Sequence, residues 1–215
     1  MTLTLHSYWR ATAPYRVRIG LAVKGLPYDY VPVNLLDGSQ HSDAYGAVNR
    51  QHLVPALVTD DGVLTQSLAI LEWLEETFPT PHLLPEGAGA RATVRAMAEI
   101  IACDIHPVNN LRILRYLVGK LDVSAEDKDA WYAHWIRAGL TTVEELLARH
   151  GGQGAYCFGD QPTMADCCLV PQVYNAARNN CDMSAYPHAM KVYEHCIQQP
   201  AFKQAAPSAQ PDFQP

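Results

Sequence analysis

The stretch Ser7–Leu21 reads SYWRATAPYRVRIGL and indicates a sharp turn between a short strand and a helix. Residues 3–5 before it alternate like a strand, and Val17 and Leu21 recur at helical spacing. Pro14 suits the first turn of a helix, where its missing N–H would have no partner in any case. Such a corner points free backbone N–H groups and the positive end of a helix dipole at one spot, which favours an anion.

Two side chains add chemistry to this corner. Thr12 offers a hydroxyl beside the predicted anion position, and Arg10 offers a fixed positive charge. Arg16 and Arg18 fall on other faces of the helix, and we expect them at the surface or in ion pairs inside the fold. The alternative for the whole corner is an ordinary capped helix with an arginine on its surface.

The bulk composition narrows the class of protein. Of 215 residues, 48% are apolar and 18% are charged, and the net charge is −6 at pH 7. This balance is ordinary for a globular protein and argues against a nucleic-acid surface, which would need a basic patch. No apolar run approaches the roughly 20 residues of a membrane span, and the N terminus lacks the pattern of a signal segment. We therefore expect a cytoplasmic protein with no nucleic-acid or membrane partner.

The cysteines and histidines show no metal-binding pattern. None of the six cysteines forms a C-x-x-C pair, and the nine histidines contain no H-E-x-x-H motif. In a chain of this length without a signal segment, buried reduced thiols are expected, and a disulfide or a metal site is the alternative. We therefore expect no metal.

The first part of the chain alternates strand and helix signals. Asp60-Asp61-Gly62 lies between two apolar runs and predicts a hairpin. Strands are expected at 3–7, 28–33, 55–59 and 63–64, and helices at 14–24, 42–49 and 68–78. The order β-α-β-α-β-β-α combines a parallel crossover with a hairpin and a final helix, which is the thioredoxin-like arrangement. Val54-Pro55 lies where that fold holds a proline at the start of its third strand.

The remainder of the chain has a helical period almost throughout. A proline-rich linker at 79–87 separates it from the first part, and helices are expected at 90–105, 107–118, 125–150, 164–177 and 185–198. Thr163 and Asp166 form a capping-box pattern at the start of the fourth of these. The proline-rich tail after Phe202 is expected to lie extended on the surface. The fold class is therefore α/β plus all-α, with a thioredoxin-like domain at 1–83 and an all-helical domain at 88–215.

Four motifs carry a resemblance to a known family. They read YWRATAPYRVRI at 8–19, QSLAI at 66–70, CDIHPVNNLR at 103–112 and ADCCLVPQVYNA at 165–176. In this order they resemble the zeta-class glutathione transferases, the family of the bacterial maleylacetoacetate isomerases and the related maleylpyruvate isomerases. The likeness covers essentially the whole chain. The family typically has serine at the positions of both Ala11 and Thr12, so Thr12 alone keeps a hydroxyl here.

The resemblance implies a glutathione-dependent cis-trans isomerase of aromatic or tyrosine catabolism. Glutathione would act as a cofactor that is not consumed. Its thiolate would add to the double bond of maleylacetoacetate or maleylpyruvate, allow rotation, and leave to give the fumaryl isomer. The substrate would be a small dicarboxylic keto acid, and the protein would be a homodimer. The alternatives are a general zeta-class transferase or dehalogenase of small α-halo acids, and a binding module without enzymatic activity.

The resemblance also implies the residues of the site. Thr12 and Arg10 would be catalytic, and the substrate carboxylates would be bound by Arg10, Arg112 and Arg178, because the arginine fork binds two oxygens at once. The residues implied for glutathione are Thr12, His41, His52, Val54, Pro55, Gln66, Ser67, His106 and Asn109. Gln66 and Ser67 could alternatively serve only as a helix cap, and Arg112 and Arg178 could be ordinary solvated helix residues.

Overall fold

The computed structural model describes residues 2–150 and 154–214. The chain divides into two compact units, of which the first contains residues 1–83 and 198–215 and the second contains residues 84–197. The predicted second domain, 88–215, includes the C-terminal segment, whereas the structure groups 198–215 with the first unit.

The first unit has the predicted thioredoxin-like order of strands and helices. Its elements are β1 (Thr4–Ser7), α1 (Thr12–Val23), β2 (Asp29–Pro32), α2 (Asp43–Val48), β3 (Ala56–Thr59), β4 (Gly62–Thr65) and α3 (Ser67–Thr77). The sheet order is β2-β1-β3-β4, with β1 parallel to β2 and antiparallel to β3. The expected crossover and hairpin are therefore both confirmed.

The register of the sheet brings three chain segments to one edge. His6 at the end of β1 pairs with Ala56 at the start of β3, and Ala56 pairs with Thr65 at the end of β4. The residues that follow β1, precede β3 and follow β4 therefore emerge at the same edge of the sheet. This arrangement follows from strand direction alone, because β3 runs opposite to both of its neighbours.

Helix α1 is buried on nearly all sides, and this includes its two arginines. Arg16 and Arg18 are 1% and 0% exposed, so the surface alternative for them is wrong. Gly20 on the same helix also lies in a close contact, since a Cβ there would fall onto the Leu71 side chain of α3. A helix that is apolar around its circumference must be covered on all faces, and any charge it carries is buried with it.

A buried ion pair ties the end of α1 to α3 and to the chain that follows. Lys24 Nζ lies 3.2 Å from Glu75 Oε2, and both side chains are almost fully buried. Lys24 Nζ also donates to the Phe78 and Pro81 carbonyl oxygens at 2.6 and 2.8 Å. Glu75 Oε2 accepts from the Leu83 backbone N–H at 2.7 Å. These hydrogen bonds surround both charges with partners, as burial of ions requires.

The second unit contains the predicted helices, but the first of them ends in a π-helical segment and the second begins later than predicted. Its helices are α4 (Ala88–Glu99), α5 (Leu111–Leu121), α6 (Ala125–His150), α7 (Met164–Arg178) and α8 (Pro187–Cys196), with a π-helical segment at Ile100–Ile105. The helix predicted from Pro107 begins only at Leu111, because Asn110 is extended and its side chain accepts from the Arg112 N–H at 3.1 Å. This N-cap was missed in the sequence.

The predicted capping box at the start of α7 is confirmed. Asp166 is completely buried and accepts from the Thr163 backbone N–H and hydroxyl, both at 2.7 Å. It also accepts from the Cys157 backbone N–H at 2.8 Å. Burial raises the pKa of Asp166, while the hydrogen bonds from Cys157 and Thr163 act in the opposite direction.

The C-terminal tail is folded and does not lie extended on the surface, so that prediction is wrong. Pro200–Ala205 forms a short helix, α9, that packs on α1. Its Phe202 side chain is 1% exposed. Pro200 occupies the first turn of α9, a typical position for proline, but six residues are too few to show a helical period.

Two further features can be stated for the described part of the chain. None of its helices has the length and apolar character needed to cross a membrane. The six cysteines are free thiols, and Cys157, Cys167, Cys168 and Cys196 are buried.

We expect Glu75→Gln to lower the free energy of unfolding by about 3 kcal/mol, the lower end of the cost of breaking a buried ion pair. The substitution keeps the size of the side chain but leaves the Lys24 charge without its countercharge. Chemical denaturation followed by circular dichroism measures this difference.

The matched control is Glu76→Gln, one residue further along α3, where the side chain is exposed. This change should alter stability by less than about 0.5 kcal/mol. Equal effects of the two substitutions would show that the buried pair contributes nothing specific.

Candidate active site

The candidate site is built at the sheet edge where β1 and β4 end and β3 begins. The corner that contains Arg10 and Thr12 follows β1, Val54-Pro55 precedes β3, and Gln66-Ser67 follows β4. The structure therefore gathers, from separate parts of the first unit, the segments to which the sequence assigned thiolate stabilisation and glutathione binding. Arg16 also links two of these segments directly, because its Nη1 donates to Ser67 Oγ at 3.2 Å.

The first turn of α1 is entered through the corner at Ala11. Ala11 occupies the N-cap position in an extended conformation, and no side chain in the described residues caps the helix there. The turn is closed by a hydrogen bond from the Ala11 N–H to the Tyr8 carbonyl at 3.0 Å. Thr12 is the first residue of the helix and is only 6% exposed. The helix dipole and first-turn N–H groups thus lie beside its hydroxyl, which suits a bound anion.

A second helix N terminus, that of α3, lies at the same edge. Gln66 at its N-cap has φ of 69°, and among the described residues no side chain caps this helix either. Gln66 Nε2 donates to Gln51 Oε1 at 3.0 Å, which fixes the Gln66 side chain. Ser67 is 6% exposed. The first turn of α3 therefore presents backbone donors of the kind that bind a carboxylate.

Two hydrogen bonds to a single carbonyl oxygen hold the loop that leads into β3. Tyr45 hydroxyl and Asn49 Nδ2 both donate to the Leu53 carbonyl oxygen, at 2.6 and 2.8 Å. Burial raises the pKa of Tyr45 to about 12, so its hydroxyl stays protonated and keeps donating. The next peptide bond, Val54-Pro55, is cis. These contacts fix the backbone at Val54 beside the sheet edge.

The two predicted histidines of this unit lie close together near that loop. His52 has a φ of 55°, and its Nδ1 lies 2.8 Å from the Gln40 carbonyl oxygen. This contact requires a proton on Nδ1 and leaves Nε2 as the other ring nitrogen for a ligand. His41 is exposed, and the centroid of its ring lies 5.4 Å from that of His52.

Arg10 lies against the aromatic side chains that precede it. The carbon of its guanidinium is 5.8 Å from the centroid of the Tyr8 ring and 5.6 Å from that of Trp9. Both distances are within the range of cation–π attraction. The two buried rings therefore support a half-buried arginine at the corner.

The other four predicted site residues belong to the second unit. Arg112 is exposed in the first turn of α5, and Arg178 is exposed at the end of α7, where its Nη2 donates to Asn175 Oδ1 at 2.9 Å. Asn109 is buried, and its Nδ2 donates to the Tyr132 carbonyl oxygen at 3.0 Å. His106 is half-buried just beyond the π-helical segment. Their roles stay predictions from the resemblance.

Sequence reasoning missed several residues that organise the site. Arg16 and Gln51 contact Ser67 and Gln66, and Tyr45 and Asn49 hold the loop before β3. The sequence does indicate that Arg16 is buried, because the apolar residues around α1 leave no exposed face for a charge. The contacts of Gln51 and Asn49 join different segments and leave no local pattern.

The residues at this edge fit glutathione, a tripeptide thiol with carboxylates at both ends. Two helix N termini supply donors for anions, and the cis Val54-Pro55 bond leads into β3 beside them. Ser67 adds a hydroxyl next to the first-turn donors of α3. The donor set thus suits a peptide that carries negative charge at more than one point.

Comparison with known proteins agrees with this geometry. Residues 13–82 match the family model of the glutathione S-transferase N-terminal domain, and residues 129–195 match that of the C-terminal domain.

Full-length relatives are also similar. A probable maleylacetoacetate isomerase of Vibrio cholerae is 48% identical over 99% of this chain and 99% of its own length. The solved holo structure of maleyl pyruvate isomerase, a bacterial zeta-class glutathione S-transferase, has a TM-score of 0.95 at 48% identity, covering 98% of this chain and 100% of that chain. The maleylacetoacetate isomerase of Anaeromyxobacter dehalogenans with glutathione bound in its active site has a TM-score of 0.89 at 42% identity, covering 99% and 98%. The chain therefore belongs to the glutathione S-transferase family, and within it to the zeta class.

Proposed function

We propose that this protein is a glutathione-dependent cis-trans isomerase that converts maleylacetoacetate or maleylpyruvate to the fumaryl isomer. The observation that carries the proposal is the sheet edge of the first unit. Among the described residues no side chain caps the N terminus of α1 or of α3, and these two termini lie there together with the Arg10–Thr12 corner and the Val54-Pro55 segment. Full-length relatives named for this isomerisation support the same choice.

Glutathione, when bound, supplies the thiolate that adds to the double bond and leaves again. The protein has to hold this sulfur as an anion near neutral pH. An ordinary cysteine thiol has a pKa of about 8.5, and a helix N terminus or a nearby donor lowers it. Thr12 and the first turn of α1 take this role in the proposal, since the hydroxyl and the backbone donors lie at one place.

The same edge orients the rest of the cofactor. The α3 N terminus with Gln66 and Ser67 binds the γ-glutamyl carboxylate, and the Val54 backbone pairs with the cysteinyl unit as a strand would. His41 and His52 lie near the loop before Val54 and take part in binding the glycyl and γ-glutamyl ends. His106 and Asn109 complete the proposed contacts.

Arginines supply the charge that the substrate needs. The substrate is a dicarboxylic keto acid, and a guanidinium binds a carboxylate through two parallel hydrogen bonds. Arg10, Arg112 and Arg178 take this role in the proposal. Arg10 also stabilises the negative charge that develops on the substrate oxygen, an electrostatic contribution of about 3–4 kcal/mol for one donor in other enzymes.

Assembly and location extend the proposal. We expect a homodimer, as the resemblance implies, and a cytoplasmic enzyme. Sedimentation equilibrium of the purified chain measures the first of these directly.

Purified protein is expected to isomerise maleylacetoacetate, maleylpyruvate or both only when glutathione is present. Because the thiolate leaves again, total glutathione should stay constant through many turnovers. Chromatography of the fumaryl product together with a thiol assay measures both quantities.

Two outcomes would contradict this prediction. Inactivity on both substrates with glutathione bound would exclude the isomerase function. Steady loss of glutathione with halide release from a small α-halo acid would identify a transferase or dehalogenase instead.

Thr12→Val is expected to lower kcat by about 10²-fold, the cost of one lost donor to a developing anion. It should also raise the pKa of the bound glutathione thiol, so the acid limb of the pH–rate profile moves to higher pH. Ultraviolet absorbance of the thiolate as a function of pH measures the shift.

Thr12→Ser is the matched control, because it keeps the hydroxyl and should retain most of the rate. An unchanged thiol pKa in Thr12→Val would assign thiolate stabilisation to the α1 backbone alone.

Arg112→Gln is expected to lower kcat/KM for the dicarboxylate about 10- to 100-fold, since a hydrogen bond to a charged group is worth about 1.5–3 kcal/mol. The Kd of glutathione should not change. Steady-state kinetics and titration calorimetry separate these two effects.

Arg115→Gln, one turn further along α5 and also exposed, is the control and should behave as wild type. Equal losses for both arginines would mean that only the general positive charge of α5 matters.

A further inference from the structure

The folded tail of the chain contacts the corner that carries Arg10. Asp212 Oδ2 accepts from the Trp9 backbone N–H at 3.1 Å, across 203 residues of sequence. Asp212 Oδ1 accepts from the Tyr30 hydroxyl at 2.6 Å. Burial and this hydrogen bond both raise the pKa of Tyr30, so its hydroxyl remains a donor to the carboxylate.

The other end of the Trp9 peptide unit is held by Arg18. Arg18 Nη2 donates to the Trp9 carbonyl oxygen at 2.8 Å, and its Nε donates to the Ala205 carbonyl of α9 at 3.0 Å. Burial lowers the pKa of Arg18, and the nearby Asp212 charge acts in the opposite direction. Both polar backbone atoms of Trp9 are therefore bound, one by an anion and one by a cation.

The Trp9 side chain is held from the same tail. Its ring meets the Phe213 ring edge-on, with centroids 5.0 Å apart and planes at 84°. The Arg10 guanidinium lies 5.6 Å from the Trp9 ring centroid. A chain of contacts thus runs from the tail through Trp9 to Arg10.

The tail is itself fixed in place. Gln210 is 7% exposed, and its Nε2 donates to the Gln204 and Ala206 carbonyl oxygens at 3.0 and 2.9 Å. The Phe213 N–H donates to the Gln210 carbonyl at 3.1 Å. Asp212 therefore sits in a hydrogen-bonded turn, which gives its carboxylate a defined position.

We propose that Asp212 is a positioning residue for Arg10: with Phe213, it sets the Trp9 backbone and ring on which the guanidinium rests. This inference rests on the proposed isomerase function, in which Arg10 binds the substrate and stabilises developing charge. The proposed function assigns Asp212 no contact with substrate or glutathione, and its carboxylate is bound by the Trp9 N–H and the Tyr30 hydroxyl.

The test compares Asp212→Asn with Asp61→Asn in the full chain. An asparagine keeps one acceptor oxygen and presents an NH2 group in place of the other, so one of the two contacts loses its acceptor and both lose the negative charge. We expect kcat/KM for maleylpyruvate or maleylacetoacetate to fall about 10- to 100-fold, the range that a small misplacement of a catalytic group produces. The Kd of glutathione should change much less than kcat/KM, because Thr12 is the one proposed glutathione ligand in this corner and it is held in the first turn of α1. Asp61 is exposed in the β3–β4 turn, and its substitution should leave both constants unchanged.

A double-substitution cycle separates positioning from general loosening of the fold. If Asp212 acts through Arg10, adding Asp212→Asn to Arg10→Gln should cause no further loss of kcat/KM. A full additional loss in the Arg10→Gln background would overturn the inference. A thermal unfolding curve recorded for each variant shows that it is folded.

Phe213→Leu provides a second route if Asp212→Asn does not fold. Phe213 is 38% exposed, so its substitution leaves the core intact while removing the ring that contacts Trp9. We expect a smaller loss of kcat/KM with the same dependence on Arg10. If the wild-type enzyme turns over and both tail variants have the same kcat/KM as Asp61→Asn, the inference about Asp212 is wrong and the proposed function stands. Absence of wild-type turnover overturns the proposed function and this inference with it.

Discussion

The buried guanidinium of Arg18 is the constraint on which the geometry of the first unit depends. It donates to Ser7 Oγ, to the Tyr8 and Trp9 carbonyls and to the Ala205 carbonyl of α9. A buried cation without such partners would cost several kcal/mol, and a guanidinium directs its donors along fixed lines. The end of β1, the corner before α1 and the C-terminal helix are therefore held at one relative geometry.

The candidate site relies on the backbone more than on side chains. The N termini of α1 and α3 present peptide N–H groups, and the segment before β3 presents an extended edge beside them. These donors are properties of the fold, so they survive changes of side chain. An alanine at position 11 therefore leaves an anion site in place even though it has no hydroxyl of its own.

The sequence predicts the parts of this fold that have local causes. The hairpin at Asp61-Gly62, the capping box at Thr163 and the strand–helix order each depend on residues a few positions apart. The missed features depend on distant partners or on very short elements. Lys24 and Arg18 are charged and yet buried, and their partners lie 51 to 57 and 9 to 187 residues away. The gathering of the site at one sheet edge follows from topology, whereas the contact of Asp212 with Trp9 has no local signal at all.

The first unit is composed of both ends of the chain, and this has a consequence for synthesis on the ribosome. Its strands emerge early, but the residues that close it, 198–215, emerge only after the whole second unit. Until then Arg18 lacks the Ala205 carbonyl, and the Trp9 N–H lacks Asp212. The four strands are therefore synthesised long before the contacts that complete the corner can form. The finished corner is a late product of translation, and a chain that ended before residue 198 would lack the Ala205 and Asp212 contacts.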